Sequence, residues 1–119
     1  MNRIYYHVTA ADNRKNISKK GLMPTIGHRS KTMGETKPAI WLFKSKEEME
    51  TSLENWLGET LDDGQILIIK AKIPIEFASR HIDPNSDIAA GYECACTAVI
   101  PPEMLTFYDE NQHQINADE

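Results

Sequence analysis

The stretch RIYYHVT, residues 3–9, decides how the chain folds, because its residues alternate and are rich in aromatic and β-branched types. This pattern predicts a strand. On a period of two, Ile4, Tyr6 and Val8 share one face, which we expect to lie in the core. The other face carries a cation, a phenol, an imidazole and a hydroxyl, on Arg3, Tyr5, His7 and Thr9. His7 is therefore either a core histidine with satisfied ring nitrogens or a residue that the strand presents for binding.

Four further segments complete the predicted sheet. They are AIWLF (39–43), QILIIKAKI (65–73), YECACTAVI (92–100) and MLTFY (104–108), of which 65–73 is the most apolar and is expected to be a central strand. The elements run strand, helix, loop, strand, helix and then three strands. This order predicts an α+β fold with a mainly antiparallel sheet and two helices in the first half of the chain.

Local signals mark the two helices. NRKNISKK (13–20) is predicted to be a surface helix that Asp12 or Thr9 caps and Gly21 ends. Ser45, with Glu48 three residues later, predicts the start of a second helix that runs to about Leu57. The segment 23–38 reads as a long loop, and PIEFASRHI (74–82) is expected to be irregular.

Length and composition favour one domain. The chain has 119 residues, of which 40% are hydrophobic, so we expect a single domain over 1–110 and a polar tail over 111–119. It contains no run of 18 apolar residues and no signal-peptide pattern, which predicts a cytoplasmic protein without a membrane span. Cys94 and Cys96 are expected to be buried free thiols, and the four histidines have no metal-ligand spacing, so no metal is expected.

Charge is distributed unevenly. Residues 1–46 hold ten Lys/Arg and two acids, a balance of +8, whereas residues 47–119 hold three Lys/Arg and sixteen acids, a balance of −13. The first part of the chain is therefore expected to meet an anion, such as the phosphates of a nucleotide or a nucleic acid. The alternative is that the two parts neutralise each other across the fold.

One carboxylate stands out in a strand. Glu93 shares a face with Ala95, Thr97 and Val99, and its small neighbours leave room for a ligand beside it. The alternative is a solvated glutamate at the exposed end of the strand. The residues show no P-loop, no G-x-G-x-x-G and no G-x-S-x-G, so patterns alone do not name a reaction.

Three segments together resemble the ADP-ribosyltransferase-like superfamily. YHVTAADNRKNISKKGLMP (6–24) is similar to its opening, a strand with H-x-T or H-x-S, a short helix and Gly-Leu. AIWLFKSKEEM (39–49) is similar to its aromatic strand and following helix, and ECACTAVIPPEML (93–105) to the ending with Glu seven residues before IPPE. The resemblance extends from about residue 3 to 107, and it implies a split, mainly antiparallel sheet.

The resemblance, to the branch with a histidine, an aromatic residue and a glutamate, implies a site for NAD as a substrate. His7 would donate a hydrogen bond to a ribose hydroxyl, and Thr9 would lie near the nicotinamide amide. Trp41 would stack on the nicotinamide ring, and Glu93 would bind the 2′-hydroxyl of the nicotinamide ribose and stabilise the cation that forms when nicotinamide leaves. Arg3 on the His7 face and Arg29 in the loop are expected to bind the dinucleotide.

Two departures bear on the target. The aromatic residue is Trp41 where the family usually has tyrosine, and position 91 is glycine where the arginine-modifying branch carries an acid. The implied function is transfer of ADP-ribose from NAD to a protein or a nucleic acid. Two alternatives remain: an RNA 2′-phosphotransferase, which would need several arginines where this chain has four, and a binding or inhibitory module without turnover.

Overall fold

A computed structural model describes residues 1–24, 39–54, 65–83 and 93–115. Its strands are β1 (Asn2–Ala10), β2 (Ile40–Phe43), β3 (Ile66–Pro74), β4 (Ile82–Asp83), β5 (Glu93–Cys96), β6 (Leu105–Tyr108) and β7 (Gln114–Ile115). They form one sheet in the order β4-β5-β2-β1-β3-β6-β7, and all their pairings are antiparallel. The predicted α+β class with a mainly antiparallel sheet is confirmed.

Three α-helices accompany the sheet within the described residues. They are α1 (Arg14–Lys20), α2 (Lys46–Glu54) and α3 (Ile75–His81), and 3₁₀ turns lie at Ala11–Asn13 and Pro102–Met104. The first two are the helices predicted for the first half of the chain. The predicted extension of α2 to Leu57 and most of the predicted loop, residues 25–38, lie outside the described residues.

The prediction that residues 74–82 are irregular was wrong, because α3 occupies most of them. Pro74 has a φ of −57° and precedes the first turn, where its missing N–H costs nothing. Ala78 and Ile82 are buried in the core, and the rings of Phe77 and His81 meet edge to face with centroids 4.8 Å apart. The spacing of apolar residues was helical, but the segment is too short for that pattern to stand out.

Two of the predicted helix ends are confirmed, and the predicted cap of α1 is not. Gly21 ends α1 with a φ of 82°, as predicted, and the Glu48 amide donates to Ser45 Oγ at 3.1 Å, as the predicted cap requires. Neither Asp12 nor Thr9 caps α1, because the 3₁₀ turn intervenes. Thr9 instead accepts a hydrogen bond from Asn13.

The sheet is packed on both faces. The main core lies on the face that carries Tyr5, Leu42, Ile69 and both buried free thiols, Cys94 and Cys96. The second core lies on the opposite face, where Val8, Phe43 and Ile68 meet Met49 of α2.

The expectation that only the Ile4, Tyr6 and Val8 face of β1 is buried was wrong for Tyr5, which is 8% exposed. Strand β1 is an interior strand with packing on both faces, and Tyr5 is opposite Ala71 in β3. The small alanine side chain leaves space for the phenol ring.

The sheet continues past residue 110, where the polar tail was predicted to begin. Asp109 Oδ1 accepts hydrogen bonds from the amides of Asn111 and His113, each at 2.9 Å. This turn returns the chain so that Gln114 and Ile115 pair with Tyr108 and Phe107. An aspartate that binds the amides after it is a common turn-forming device, which explains how a polar segment is held in order.

The two neighbours of β1 are paired with it unequally. Strand β3 matches β1 at nine positions, from Asn2 opposite Pro74 to Ala10 opposite Ile66, whereas the register with β2 is the single pair Tyr6 and Phe43. We call the boundary between β1 and β2 the β1–β2 junction. His7 directly follows Tyr6, the residue of β1 that pairs with β2.

Candidate functional site

The His7 ring bridges the β1–β2 junction. Its Nδ1 lies 2.9 Å from the backbone carbonyl oxygen of Trp41 in β2. A carbonyl oxygen only accepts hydrogen bonds, so Nδ1 carries the proton and donates it. The histidine that the sequence singled out thus joins two strands at the place where their backbones have stopped pairing.

The same hydrogen bond sets the chemistry of the other ring nitrogen. Burial lowers the pKa of His7 from its ordinary value of 6.5, and the hydrogen bond to Trp41 opposes this shift only in part. The ring is therefore neutral at pH 7, with its one proton on Nδ1 and a lone pair on Nε2. A ribose hydroxyl at Nε2 would donate the hydrogen bond, which reverses the direction expected from the sequence.

The lowered pKa of His7 predicts a pH-dependent stability. The unfolded chain takes up a proton at this residue near pH 6.5, and the folded chain does so only at a lower pH, so acidification favours unfolding in the interval between. We expect the free energy of unfolding to fall by up to about 1.4 kcal/mol per pH unit below that value. Urea unfolding of the wild type and His7→Gln at pH 7.5 and 5.5 measures this effect. An equal loss in both proteins would contradict the prediction.

His7 lies in a cleft of about 410 Å³, here called the His7 cleft. Thr9 on β1 lines the same cleft, and the opposite wall carries Asn16 and Lys20 of α1 and then Met23. Its volume lies within the roughly 300–1,000 Å³ of clefts that hold small ligands. The cleft thus combines an imidazole acceptor, hydroxyl and amide groups, one ammonium group and an apolar rim.

Thr9 and Asn13 are fixed to each other inside the cleft. The Asn13 side-chain amide donates to Thr9 Oγ1 at 2.7 Å, and both residues line the cleft. Because Oγ1 accepts this bond, its own proton is available for an acceptor on a ligand. Thr9 was predicted as a binding residue, and its place beside His7 follows from the period of two in β1.

The far wall of the cleft depends on a close backbone contact. Leu22 and Ile100 exchange backbone hydrogen bonds, each 2.9 Å long, and Gly21 lies against the Ile100 carbonyl. A Cβ at position 21 would be 2.2 Å from that oxygen, so only glycine fits. The Gly-Leu and IPPE segments that support the family resemblance are therefore in contact with each other.

Trp41 and Glu93 lie on the other side of the junction. Trp41 is opposite Ala95, and the Glu93 backbone is opposite Phe43, which is opposite Tyr6. Neighbouring strands lie about 4.8 Å apart, so the backbone of Glu93 is roughly 10 Å from that of β1. Strand β2 lies between these two backbones, and Trp41 alternates with Ile40 and Leu42 of the main core, so its position in β2 is on the sheet face opposite to that of His7.

Two predicted binding residues of the described ranges, Arg3 and Trp41, do not line the His7 cleft. Arg3 is exposed and lines another cleft, of about 230 Å³, together with Lys44 and Cys94. Four residues separate it from His7, which corresponds to roughly 13 Å along an extended strand. Arg29 lies outside the described residues.

Sequence reasoning missed the residues that α1 contributes. Asn16 and Lys20 are four residues apart, and so are Asn13 and Ile17, so one side of the helix faces β1. The spacing of four is visible in the sequence, but few residues of the helix are apolar, which is why it was predicted to be a surface helix. Polar residues at helical spacing line a cleft as readily as they face water.

The described residues contain neither a metal-binding group nor a membrane-spanning helix. Within residues 1–24, 39–54, 65–83 and 93–115, no group of three or more His, Cys, Asp or Glu is arranged to hold a metal ion. In the same part of the chain, no helix is long and apolar enough to span a membrane.

Comparison with known proteins gives a likeness of fold. No family model and no curated protein matches the chain. A solved structure named EcPltA superimposes with a TM-score of 0.55 and 12% sequence identity, over 96% of this chain and 82% of that one. At this identity the likeness concerns the fold alone.

Proposed function

We propose that this chain is an ADP-ribosyltransferase with an ADP-ribosyltransferase-like fold. It would cleave NAD, release nicotinamide and transfer ADP-ribose to a macromolecular target, a protein or a nucleic acid. The observation that carries the proposal is the His7 ring at the β1–β2 junction, held by the Trp41 carbonyl beside a cleft of suitable volume. The sequence resemblance implies a ribose-binding role for this histidine, and with the proton on Nδ1 the hydrogen bond would run from the ribose hydroxyl to Nε2.

The residues around the junction suit the parts of a dinucleotide. The lone pair on His7 Nε2 would accept a hydrogen bond from a ribose hydroxyl, and the Thr9 hydroxyl or backbone would bind the nicotinamide amide. Lys20, exposed at the cleft, would attract the phosphates. Trp41, half-buried and alternating with the core residues Ile40 and Leu42 of β2, would supply the aromatic surface for the nicotinamide ring to a dinucleotide that crosses the β1–β2 junction.

Glu93 would act at the bond that breaks. The bond between C1′ of the ribose and the nicotinamide nitrogen cleaves, and nicotinamide leaves with the electron pair. A nucleophile of the target then attacks C1′ and loses its proton. A carboxylate near C1′ stabilises the positive charge that develops on the ribose, as carboxylates do in glycoside hydrolysis.

The alternative of an RNA 2′-phosphotransferase is less well supported. That reaction would need arginines around the cleft to bind an RNA phosphate. Of the arginines in the described part of the chain, Arg3 and Arg14 line other clefts, and Arg80 lies in α3. None of the three lines the His7 cleft.

The test uses NAD labelled either in nicotinamide or in the adenylate phosphate, incubated with the chain and a cell lysate. We expect free labelled nicotinamide, together with adenylate label that becomes acid-precipitable. Protease and nuclease digestion then show whether the acceptor is a protein or a nucleic acid. If nicotinamide stays in NAD, the chain is a binding module and the proposal is wrong.

His7→Gln supplies the matching variant. It removes the imidazole acceptor, and we expect a roughly 5- to 150-fold slower release of nicotinamide, since leaving a hydrogen-bonding group unpaired costs about 1–3 kcal/mol. His113→Gln is the control, because the His113 side chain is 79% exposed and lies 3.8 Å from Asp109, away from the residues of the His7 cleft. Equal rates in the two variants would remove His7 from the site.

A further inference from the structure

A second cleft lies on the α2 side of the sheet, and we propose that it seats one base of a single-stranded nucleic acid. It has a volume of about 130 Å³. Met49 and Ile68, at most 2% exposed, form its floor, and the half-buried Tyr6 and Tyr108 form its walls. Lys46 and Lys70 lie at its edge. We call it the tyrosine–lysine cleft.

Tyr6 and Tyr108 lie on β1 and β6, the two strands that flank β3. Tyr6 is opposite Lys70, and Tyr108 is opposite Ile68, so both rings project from the same face of β1, β3 and β6. Neither hydroxyl makes a hydrogen bond with a described residue. Aromatic side chains over an apolar floor are the surface on which bases stack, whatever their sequence.

Lysines lie on this face of the sheet beside the acids Glu47, Glu48 and Glu50 of α2. Residues 47–119 contain only three Lys/Arg, and two of them, Lys70 and Lys72, alternate onto this face of β3. Lys46 reaches the same cleft from the first turn of α2. Neither Lys46 nor Lys70 forms an ion pair with a residue of the described ranges. Their charges therefore remain available to phosphates.

One acid of α2 is engaged by a residue of the cleft. Glu50 Oε2 accepts a hydrogen bond from the Gln112 side-chain amide at 3.1 Å, and Gln112 lines the cleft. Gln112 has a φ of 64°, the one positive value at a non-glycine residue of the described ranges. This left-handed residue lies in the turn between β6 and β7, where the Gln112 backbone amide donates to the Asp109 carbonyl at 2.9 Å.

The size of the cleft favours one unit of a longer ligand. Clefts that enclose a whole small molecule measure roughly 300–1,000 Å³, well above this one. A ring seated between the tyrosines, with phosphates extending over the lysines, uses the apolar and the charged groups together. A phosphopeptide would use the lysines and leave the aromatic walls empty, so a nucleic acid is the better match.

This inference does not depend on the proposed function. Tyr6 and His7 are neighbours in β1, so their side chains project to opposite faces of the sheet. The tyrosine–lysine cleft is therefore separate from the His7 cleft. Loss of nucleic-acid binding and loss of nicotinamide release can be observed independently in the same preparation.

The test measures fluorescence anisotropy of a labelled oligothymidylate of about 12 nucleotides as the full-length chain is added at rising salt. We expect Lys46→Gln/Lys70→Gln to weaken binding at least tenfold and to reduce the salt slope by about 1.4, since each phosphate contact on a single strand contributes about 0.7. Lys15→Gln/Lys19→Gln, on the exposed part of α1, is the charge-matched control and should retain binding within twofold.

The tyrosine is tested by a pair of variants. Tyr108→Leu should weaken binding roughly 5- to 150-fold, the range for loss of one stacked base, whereas Tyr108→Phe should keep it. Far-UV circular dichroism shows that each variant is folded. Nicotinamide release without nucleic acid should be unchanged in all of them.

Three results would overturn the inference. The first is no binding of the oligothymidylate by the wild type at low salt. The second is equal weakening in the two double-lysine variants, which would indicate binding by overall charge. The third is equal affinity of Tyr108→Leu and Tyr108→Phe, or equal affinity for a heparin fragment, which would indicate a polyanion surface without base stacking.

Discussion

Gly21→Ala is expected to destabilise the folded chain by more than about 3 kcal/mol, a large share of the roughly 5–15 kcal/mol that holds a domain together. Two independent causes act at this residue. Its φ of 82° disfavours a side chain, at a cost of about 1–2 kcal/mol. A Cβ would also lie 2.2 Å from the Ile100 carbonyl oxygen and 3.1 Å from Pro101 Cα. Both are backbone atoms, so no rotamer change relieves the overlap.

Urea unfolding followed by far-UV circular dichroism measures this loss. Lys19→Ala, at an exposed position of the same helix, is the control and should stay within about 0.5 kcal/mol of the wild type. If Gly21→Ala loses less than about 1 kcal/mol, the close contact between Gly21 and Ile100 is not a feature of the folded chain. The His7 cleft would then need another explanation for its far wall.

Glu93→Gln is expected to slow nicotinamide release at least about 100-fold, the loss typical when one preorganised electrostatic group is removed from a transition state. Glutamine has nearly the same shape as glutamate but no charge. It can still hydrogen-bond a ribose hydroxyl, so NAD affinity should change only a few-fold. The lost rate would therefore come from the missing negative charge beside the developing cation.

Steady-state release of labelled nicotinamide and calorimetric titration with NAD separate the two quantities. Glu103→Gln is the matched control, because Glu103 is an exposed acid in the 3₁₀ turn of the IPPE segment. Unchanged turnover in Glu93→Gln would show that Glu93 is not the catalytic carboxylate. A large loss of affinity with unchanged maximal rate would assign it to binding alone.

Local signals predicted the parts of the fold that short-range chemistry controls. Gly21 was correctly predicted to end α1, because that role needs only its own backbone angle. Ser45 was correctly predicted to cap α2, because its hydroxyl accepts a hydrogen bond from an amide three residues later. The period of two placed His7 and Thr9 on one face of β1, and both line the same cleft. These inferences required no knowledge of distant partners.

The remaining features depend on partners that lie far away in the chain. Tyr5 is buried because Ala71 is opposite it, and nothing in residues 3–9 names that partner. The hydrogen bond from His7 to Trp41 spans 34 residues, and it fixes the tautomer that the sequence left open. Arg3 does not line the His7 cleft because that cleft lies along the later part of β1, at His7 and Thr9, beside α1.

The unequal pairing of β1 has a consequence for how the molecule opens. The sheet consists of two groups of strands, β4-β5-β2 and β1-β3-β6-β7, and in the described part of the chain the register between β1 and β2 is the single pair Tyr6 and Phe43, with the His7 hydrogen bond beside it. Local opening costs least where the fewest bonds break, so we expect amide protons near this boundary to exchange with solvent faster than those between β1 and β3. A dinucleotide bound across the boundary would act as a clamp. Its signature would be slower exchange in β2 and β5, with β3 and β6 unchanged.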